Sequence, residues 1–239
     1  MKKAAKCDFA PYLAEFVATF VFVFIGSGSI IAASYFNNFD GVAIAAAHGF
    51  AIFIMVAATA NISGGHVNPA VTWAIRFRGT FTKDFSFMRA LGYTAAQLAG
   101  AALSSYVLYA IVQFLDGGKL AAEAVNWGTP GFASGLDRNG GLFLEMIFGF
   151  ILVFVILRTA VEQKISWAPL AIGMTVFVLA LMGGPLTGAA MNPARWFGPA
   201  LVSGTWDNAA LYIAAPMIGG VIAVVVNYLL SRNKTPSPK

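Results

Sequence analysis

The tripeptide Asn-Pro-Ala occurs twice, at Asn68-Pro69-Ala70 and at Asn192-Pro193-Ala194, each time inside an apolar stretch. Proline fixes φ and lacks an N–H, which suits the first turn of a helix. Asparagine directly before it is a favoured N-cap. Each copy therefore reads as a helix start. Within an apolar segment, such a start leaves free N–H donors and a partial positive charge at bilayer depth. That is tolerated only where protein or a water-filled cavity satisfies the backbone. Two such starts in one chain imply two half-helices meeting at a pore.

Composition puts these starts in a membrane. The chain is 59% hydrophobic and 10% charged, with a mean hydropathy of +0.75, whereas a soluble domain carries about 25% charged residues. Six segments, roughly 11–35, 42–62, 87–115, 141–161, 168–182 and 209–230, have the length and polarity of spanning helices. The Asn-Pro-Ala segments fall between the second and third and between the fifth and sixth. Each is apolar for only about ten residues, too short to cross. The expectation is an all-α membrane protein with six transmembrane helices and two re-entrant half-helices, forming one domain over residues 1–239.

The net charge of +5 is distributed unlike a nucleic-acid patch. Lys2, Lys3 and Lys6 precede the first span; Arg76, Arg78, Lys83 and Arg89 lie between the second and third. Arg158 and Lys164 separate the fourth and fifth, and Arg232, Lys234 and Lys239 follow the last. The opposite loops carry only Lys119 and Arg138. This is the positive-inside pattern with both termini cytoplasmic, and it argues against a nucleic-acid partner. The first apolar segment is too long for a signal-peptide core and contains Glu15, so it reads as a helix that stays. The single Cys7 excludes an intramolecular disulfide. Residues 232–239, with Thr235-Pro236-Ser237-Pro238, read as a cytoplasmic tail disordered by composition.

The two halves also repeat. Tyr93-Thr94-Ala95-Ala96-Gln97 with Gly100 matches Tyr212-Ile213-Ala214-Ala215-Pro216 with Gly219, and Glu15 matches Glu145. Together with the Asn-Pro-Ala pair these matches keep the same order at offsets of about 120–130 residues. The repeats span approximately 9–115 and 141–231. Each holds three spans, an odd number, so the second half enters the membrane inverted. Inverted repeats place a functional site at the midplane, between interrupted helices whose N-termini face it.

The segments Ser63-Gly64-Gly65-His66-Val67-Asn68-Pro69-Ala70-Val71-Thr72 and Thr187-Gly188-Ala189-Ala190-Met191-Asn192-Pro193-Ala194-Arg195 closely resemble the paired motifs of the aquaporin, or major intrinsic protein, family. The resemblance covers essentially the whole chain. It implies a passive channel in which Asn68 and Asn192 turn N–H donors into a single-file pore. Water would then direct its oxygen toward both, breaking a proton-conducting chain. Two helix N-termini, each equivalent to roughly +0.5 charge, would repel protons and cations. The carbonyls of Gly64, Gly65 and His66, and of Gly188 and Ala190, would form a ladder of acceptors. No cofactor and no metal is implied, and the family's homotetramer is expected, with water, small neutral solutes and the lipid bilayer as partners.

The resemblance also puts Arg195 at a narrow outer constriction, with His48, Ala180 and Ala189 as companions by their distance from the motifs. Strict water channels resemble phenylalanine at position 48 and histidine at 180, so Ala180 implies a wider opening. Glycerol facilitators use tryptophan and phenylalanine there and tend to have Asp after the arginine, with a basic residue four positions later. This chain has Trp196 and Ala200. His48 with Ala189 looks most like tonoplast intrinsic proteins, although their outer-loop histidine is replaced near Pro130. The expectation is therefore water together with urea, ammonia or a glycerol-like solute.

Glu15 and Glu145 admit two readings. As intramembrane charges they suit a proton relay, which would make the chain a proton-coupled secondary transporter. In the family, matching glutamates instead brace the pore loops by accepting N–H bonds. No acidic residue flanks either Asn-Pro-Ala, which favours the channel. Two histidines and one cysteine, widely separated, form no triad, so an enzyme is not expected. Short loops without a targeting segment point to the cell (plasma) membrane.

Overall fold

The structure is a computed structural model that describes residues 9–38, 40–82 and 85–232. Lys2, Lys3, Lys6, Cys7, Lys83, Lys234, Lys239 and the Thr235–Pro238 segment lie outside the described residues. Among the described residues all regular structure is helical: α1 (Ala10–Tyr35), α2 (Gly41–Thr59), α3 (Pro69–Thr82), α4 (Phe87–Val112), α5 (Gly118–Ala124), α6 (Arg138–Ile156), α7 (Ala168–Thr187), α8 (Pro193–Ser203) and α9 (Ala209–Arg232). Helices α1, α2, α4, α6, α7 and α9 are long and apolar enough to cross a membrane. Helices α3 and α8, of 14 and 11 residues, are not.

Local chemistry sets several starts. Asp40 caps α2 by accepting from the N–H groups of Val42 and Ala43, Ser86 caps α4 through Arg89, and Asp137 caps α6 through Gly140. A side-chain oxygen at each N-cap satisfies a donor the helix leaves free.

The spans depart from expectation at their ends. The second stops at Thr59, not residue 62, because Ala60 to Ser63 turn into the first pore loop. The third stops at Val112, short of 115. The fifth runs past Gly183-Gly184-Pro185 to Thr187 instead of stopping at 182. Pro185 lies in its final turn, where it removes one N–H without dividing the helix. Gly188, at φ 75°, then ends α7 and returns its N–H to the Gly184 carbonyl. The fourth begins earlier, at Arg138, and its last turn, Leu157–Glu162, widens into π geometry. Helix α5 and the 3₁₀ turn Asn126–Gly128 after it were not foreseen.

Corresponding helices of the two halves pack in the same way. Helix α1 packs against α4 and α6 against α9, while α2 and α7 join the halves. A methyl on Gly100 would lie 2.3 Å from the Phe16 carbonyl oxygen, and one on Gly219 would lie 2.0 Å from that of Met146. The same small residue thus permits the same close helix approach in each half. Each half-helix packs on the other repeat as well as on its own: α3 on α9 and α8 on α4.

Candidate functional site

The two Asn-Pro-Ala segments meet. Asn68 Oδ1 accepts from the Ala70 N–H at 2.7 Å, and Asn192 Oδ1 accepts from Ala194 at 2.9 Å and Arg195 at 3.4 Å. Pro69 and Pro193 begin their helices, and Ala70 and Ala194 beside them are buried. Each asparagine also reaches across: Asn68 Nδ2 donates to the Met191 carbonyl at 3.0 Å and Asn192 Nδ2 to the Val67 carbonyl at 2.8 Å. An amide nitrogen carries two hydrogens, so each keeps one beyond this bond.

Val67 and Met191, the residues before the asparagines, stand at φ 55° and 54°. That region is costly for side-chain-bearing residues and most so for β-branched valine. The backbone is held there by the buried glutamates. Glu15 accepts from the N–H groups of His66 (2.9 Å) and Val67 (2.7 Å), from the Ser63 hydroxyl (2.6 Å) and from Gln97 Nε2 (2.7 Å). Glu145 accepts from the N–H groups of Ala190 (2.9 Å) and Met191 (2.8 Å) and from the Thr187 hydroxyl (2.7 Å). Tyr93 donates to the Ser63 carbonyl at 2.8 Å and Tyr212 to that of Thr187 at 2.6 Å. The two loops are thus held by matching sets of bonds.

The other predicted residues divide between two cavities. A cavity of about 310 Å³ has His48, Ala180, Ala189, Arg195 and Gly188 in its wall, with Ile44 beside them. A second, of about 550 Å³, is lined by Gly64, Gly65, His66 and Val71 and continues to Lys164. Ala190, 2% exposed, is not among the residues lining the first cavity.

At the first cavity Arg195, buried, donates from Nε to His48 Nε2 at 3.1 Å and from Nη1 to the Gly128 carbonyl at 2.8 Å. Arginine only donates, so His48 Nε2 accepts and its Nδ1 carries the proton given to the Ile44 carbonyl at 2.8 Å. At the second cavity, Gln97 Nε2 also donates to Thr72 Oγ1 at 2.9 Å, and Thr72 lies 3.1 Å from His66 Nδ1. The His66 ring packs edge-on against Tyr93 and tilts against Phe85.

A family model described as Major intrinsic protein matches residues 3–227. The chain belongs to this family. Probable aquaporin TIP3-2 of Arabidopsis thaliana is 43% identical over 90% of this chain and 80% of its own length. A probable TIP-type aquaporin of Medicago truncatula is 42% identical over 93% and 87%, and aquaporin TIP2-1 of Arabidopsis thaliana is 40% identical over 90% and 84%. The X-ray structure of the aquaglyceroporin from Plasmodium falciparum shares the fold, with a TM-score of 0.74 over 94% of this chain and 95% of that one, at 23% identity.

For this major intrinsic protein, membership and six spanning helices establish an integral multi-pass membrane protein. The plasma membrane expected from the loops gains no support, because these relatives are of TIP type. Short loops report little about the destination membrane. Several site residues escaped the sequence reading. Ser63 and Thr187 each lie five positions before an asparagine, a symmetry available in the sequence. Gly128, which reaches Arg195 from the end of the short 3₁₀ turn, left no such signal.

Proposed function

We propose that this chain is a passive channel for water and small uncharged solutes that excludes protons and ions. The observation that carries this reading is the meeting of two helix N-termini, joined reciprocally through Asn68 and Asn192, between loops that border separate cavities. A molecule passing from one cavity to the other meets the remaining amide hydrogens and the positive ends of both helices, which oppose cations. His48, Ala180, Ala189 and Arg195 form the outer filter. Arg195 and His48 supply one polar side, and the two alanines leave the other small and apolar. That lining supports urea, ammonia or a glycerol-like solute in addition to water.

The names of the relatives support the channel rather than an enzyme, and nothing in them supports proton coupling. Glu15 and Glu145 are engaged as acceptors of loop donors, which supports bracing over proton relay. The channel unit spans the chain, with repeats over about 9–115 and 141–231. Family resemblance supports a homotetramer, and the positions of Arg76, Arg78, Arg89, Arg158, Lys164 and Arg232 support cytoplasmic termini.

Stopped-flow light scattering on proteoliposomes tests the reading. Osmotic shrinkage faster than in empty liposomes, with no proton gradient, is the expected result. Solute flux that appears only under a proton gradient would overturn it in favour of the transporter.

A further inference from the structure

Gly26 lies in the middle of α1, buried, and lines neither cavity described above. It sits directly behind the His48 ring. A β-carbon on Gly26 would fall 2.6 Å from His48 Nε2, 2.7 Å from Cδ2 and 3.3 Å from Cε1. The ring therefore occupies the volume that a side chain at position 26 would fill. The next residue, Ser27, backs the other arm of the filter: a β-carbon on Gly128 would lie 3.1 Å from Ser27 Cα. Gly128 is the residue whose carbonyl accepts from Arg195. Two consecutive residues of α1 thus form the wall against which both partners of Arg195 rest.

We propose that Gly26 is a specificity-determining positioning residue, which selects the solutes admitted by letting the His48 ring withdraw from the lumen against α1. This rests on the channel reading above. With a methyl at position 26, Nε2 and Cδ2 must move by about 1 Å to regain ordinary contact. The ring is bounded by Phe22, whose ring centroid lies 6.1 Å away edge-on, and by the Ile44 carbonyl that holds Nδ1. Its open side is the cavity it lines with Ala180 and Ala189. The displaced ring narrows the cavity that it lines with the two alanines and disturbs the 3.1 Å bond from Arg195 to Nε2. Water, the smaller permeant, tolerates that narrowing better than urea. Alanine is otherwise favoured over glycine in a helix interior, so an effect of the added methyl arises from this contact.

The test is stopped-flow flux of water and urea through the full chain in proteoliposomes, comparing wild type, Gly26→Ala, His48→Ala and the double variant. In Gly26→Ala the urea-to-water permeability ratio is expected to fall about fivefold or more. The double variant is expected to match His48→Ala, because the methyl then has no ring to displace. An unchanged ratio in a conducting Gly26→Ala channel would overturn the proposal and leave the channel reading intact. A double variant whose ratio stays below that of His48→Ala would also overturn it, since the glycine would then act through helix packing. If Gly26→Ala fails to fold, recovery of folding and flux in the double variant supports the proposal, and failure of both overturns it. Wild-type liposomes that pass neither water nor urea would remove the channel reading itself, and this inference with it.

Discussion

The Nε–H of Arg195 donates to Nε2 of His48 across 3.1 Å, joining the start of α8 to the middle of α2. With the Gly128 carbonyl on Nη1, it holds the guanidinium at two points. Phenylalanine at position 48 removes the acceptor, and histidine at position 180 fills the side that Ala180 leaves open. The double variant His48→Phe with Ala180→His is therefore expected to lose urea flux by about tenfold while retaining water. Stopped-flow permeabilities for both solutes check this, and unchanged urea flux would mean that the constriction lies elsewhere.

Arg195 is buried and lines the first cavity, where the proposed filter role makes its charge a barrier to cations. Arg195→Ala removes that charge and leaves the His48 and Gly128 acceptors without their donor. The paired helix N-termini remain, so the barrier is weakened but not abolished. Proton leak is expected to rise above wild type, read with a trapped pH dye in vesicles under a potassium–valinomycin potential. Urea flux should rise as well. A proton leak equal to that of wild type would assign exclusion to the asparagine pair alone.

The glutamates differ in how many donors depend on them. Glu15 accepts from two backbone N–H groups, a hydroxyl and the Gln97 amide, whereas Glu145 accepts from two N–H groups and a hydroxyl. Glutamine at either position turns an NH₂ toward groups that are themselves donors. Hydrogen bonds to a charged acceptor contribute about 1.5–3 kcal/mol each, so Glu15→Gln is expected to cost about 2–4 kcal/mol and Glu145→Gln somewhat less. Thermal unfolding in detergent measures both. A proton-relay role predicts the opposite pattern, with little loss of stability and flux that no longer responds to a proton gradient.

What the sequence made legible was local. The Asn-Pro-Ala starts could be read because cap and proline act within one helical turn, and the spans because each needs its own run of apolar residues. His48, Ala180, Ala189 and Arg195 were carried over from the family resemblance by their distances from the motifs, and the four line one cavity. The contacts that fix them in place are not local. Gly128 reaches Arg195 across 67 positions, and Gly26 matters only because α2 brings His48 against it. The end of α7 was hidden by Gly183-Gly184-Pro185, a breaker in isolation that the packed last turn accommodates. Helix α5 is only seven residues long and stands in the connection between α4 and α6, without the span-length apolar signal that identified the others.

Two helix-ending glycines allow the contribution of the Pro130 segment to be separated from backbone strain. Gly188 ends α7 at φ 75° and Gly204 ends α8 at φ 70°. Alanine at either position must adopt the left-handed conformation, costing about 1–2 kcal/mol. Their surroundings differ. A β-carbon on Gly188 would lie 2.7 Å from Pro130 Cα, whereas one on Gly204 meets nothing within 4 Å. Overpacking of this kind costs a further 1–3 kcal/mol or so. Gly188→Ala is therefore expected to lower the unfolding temperature more than Gly204→Ala. Because Pro130 is two residues from Gly128, only Gly188→Ala should also disturb the Arg195 anchor and change the urea-to-water ratio. Equal losses of stability with no change in that ratio would show that the Pro130 segment yields freely and does not hold the filter.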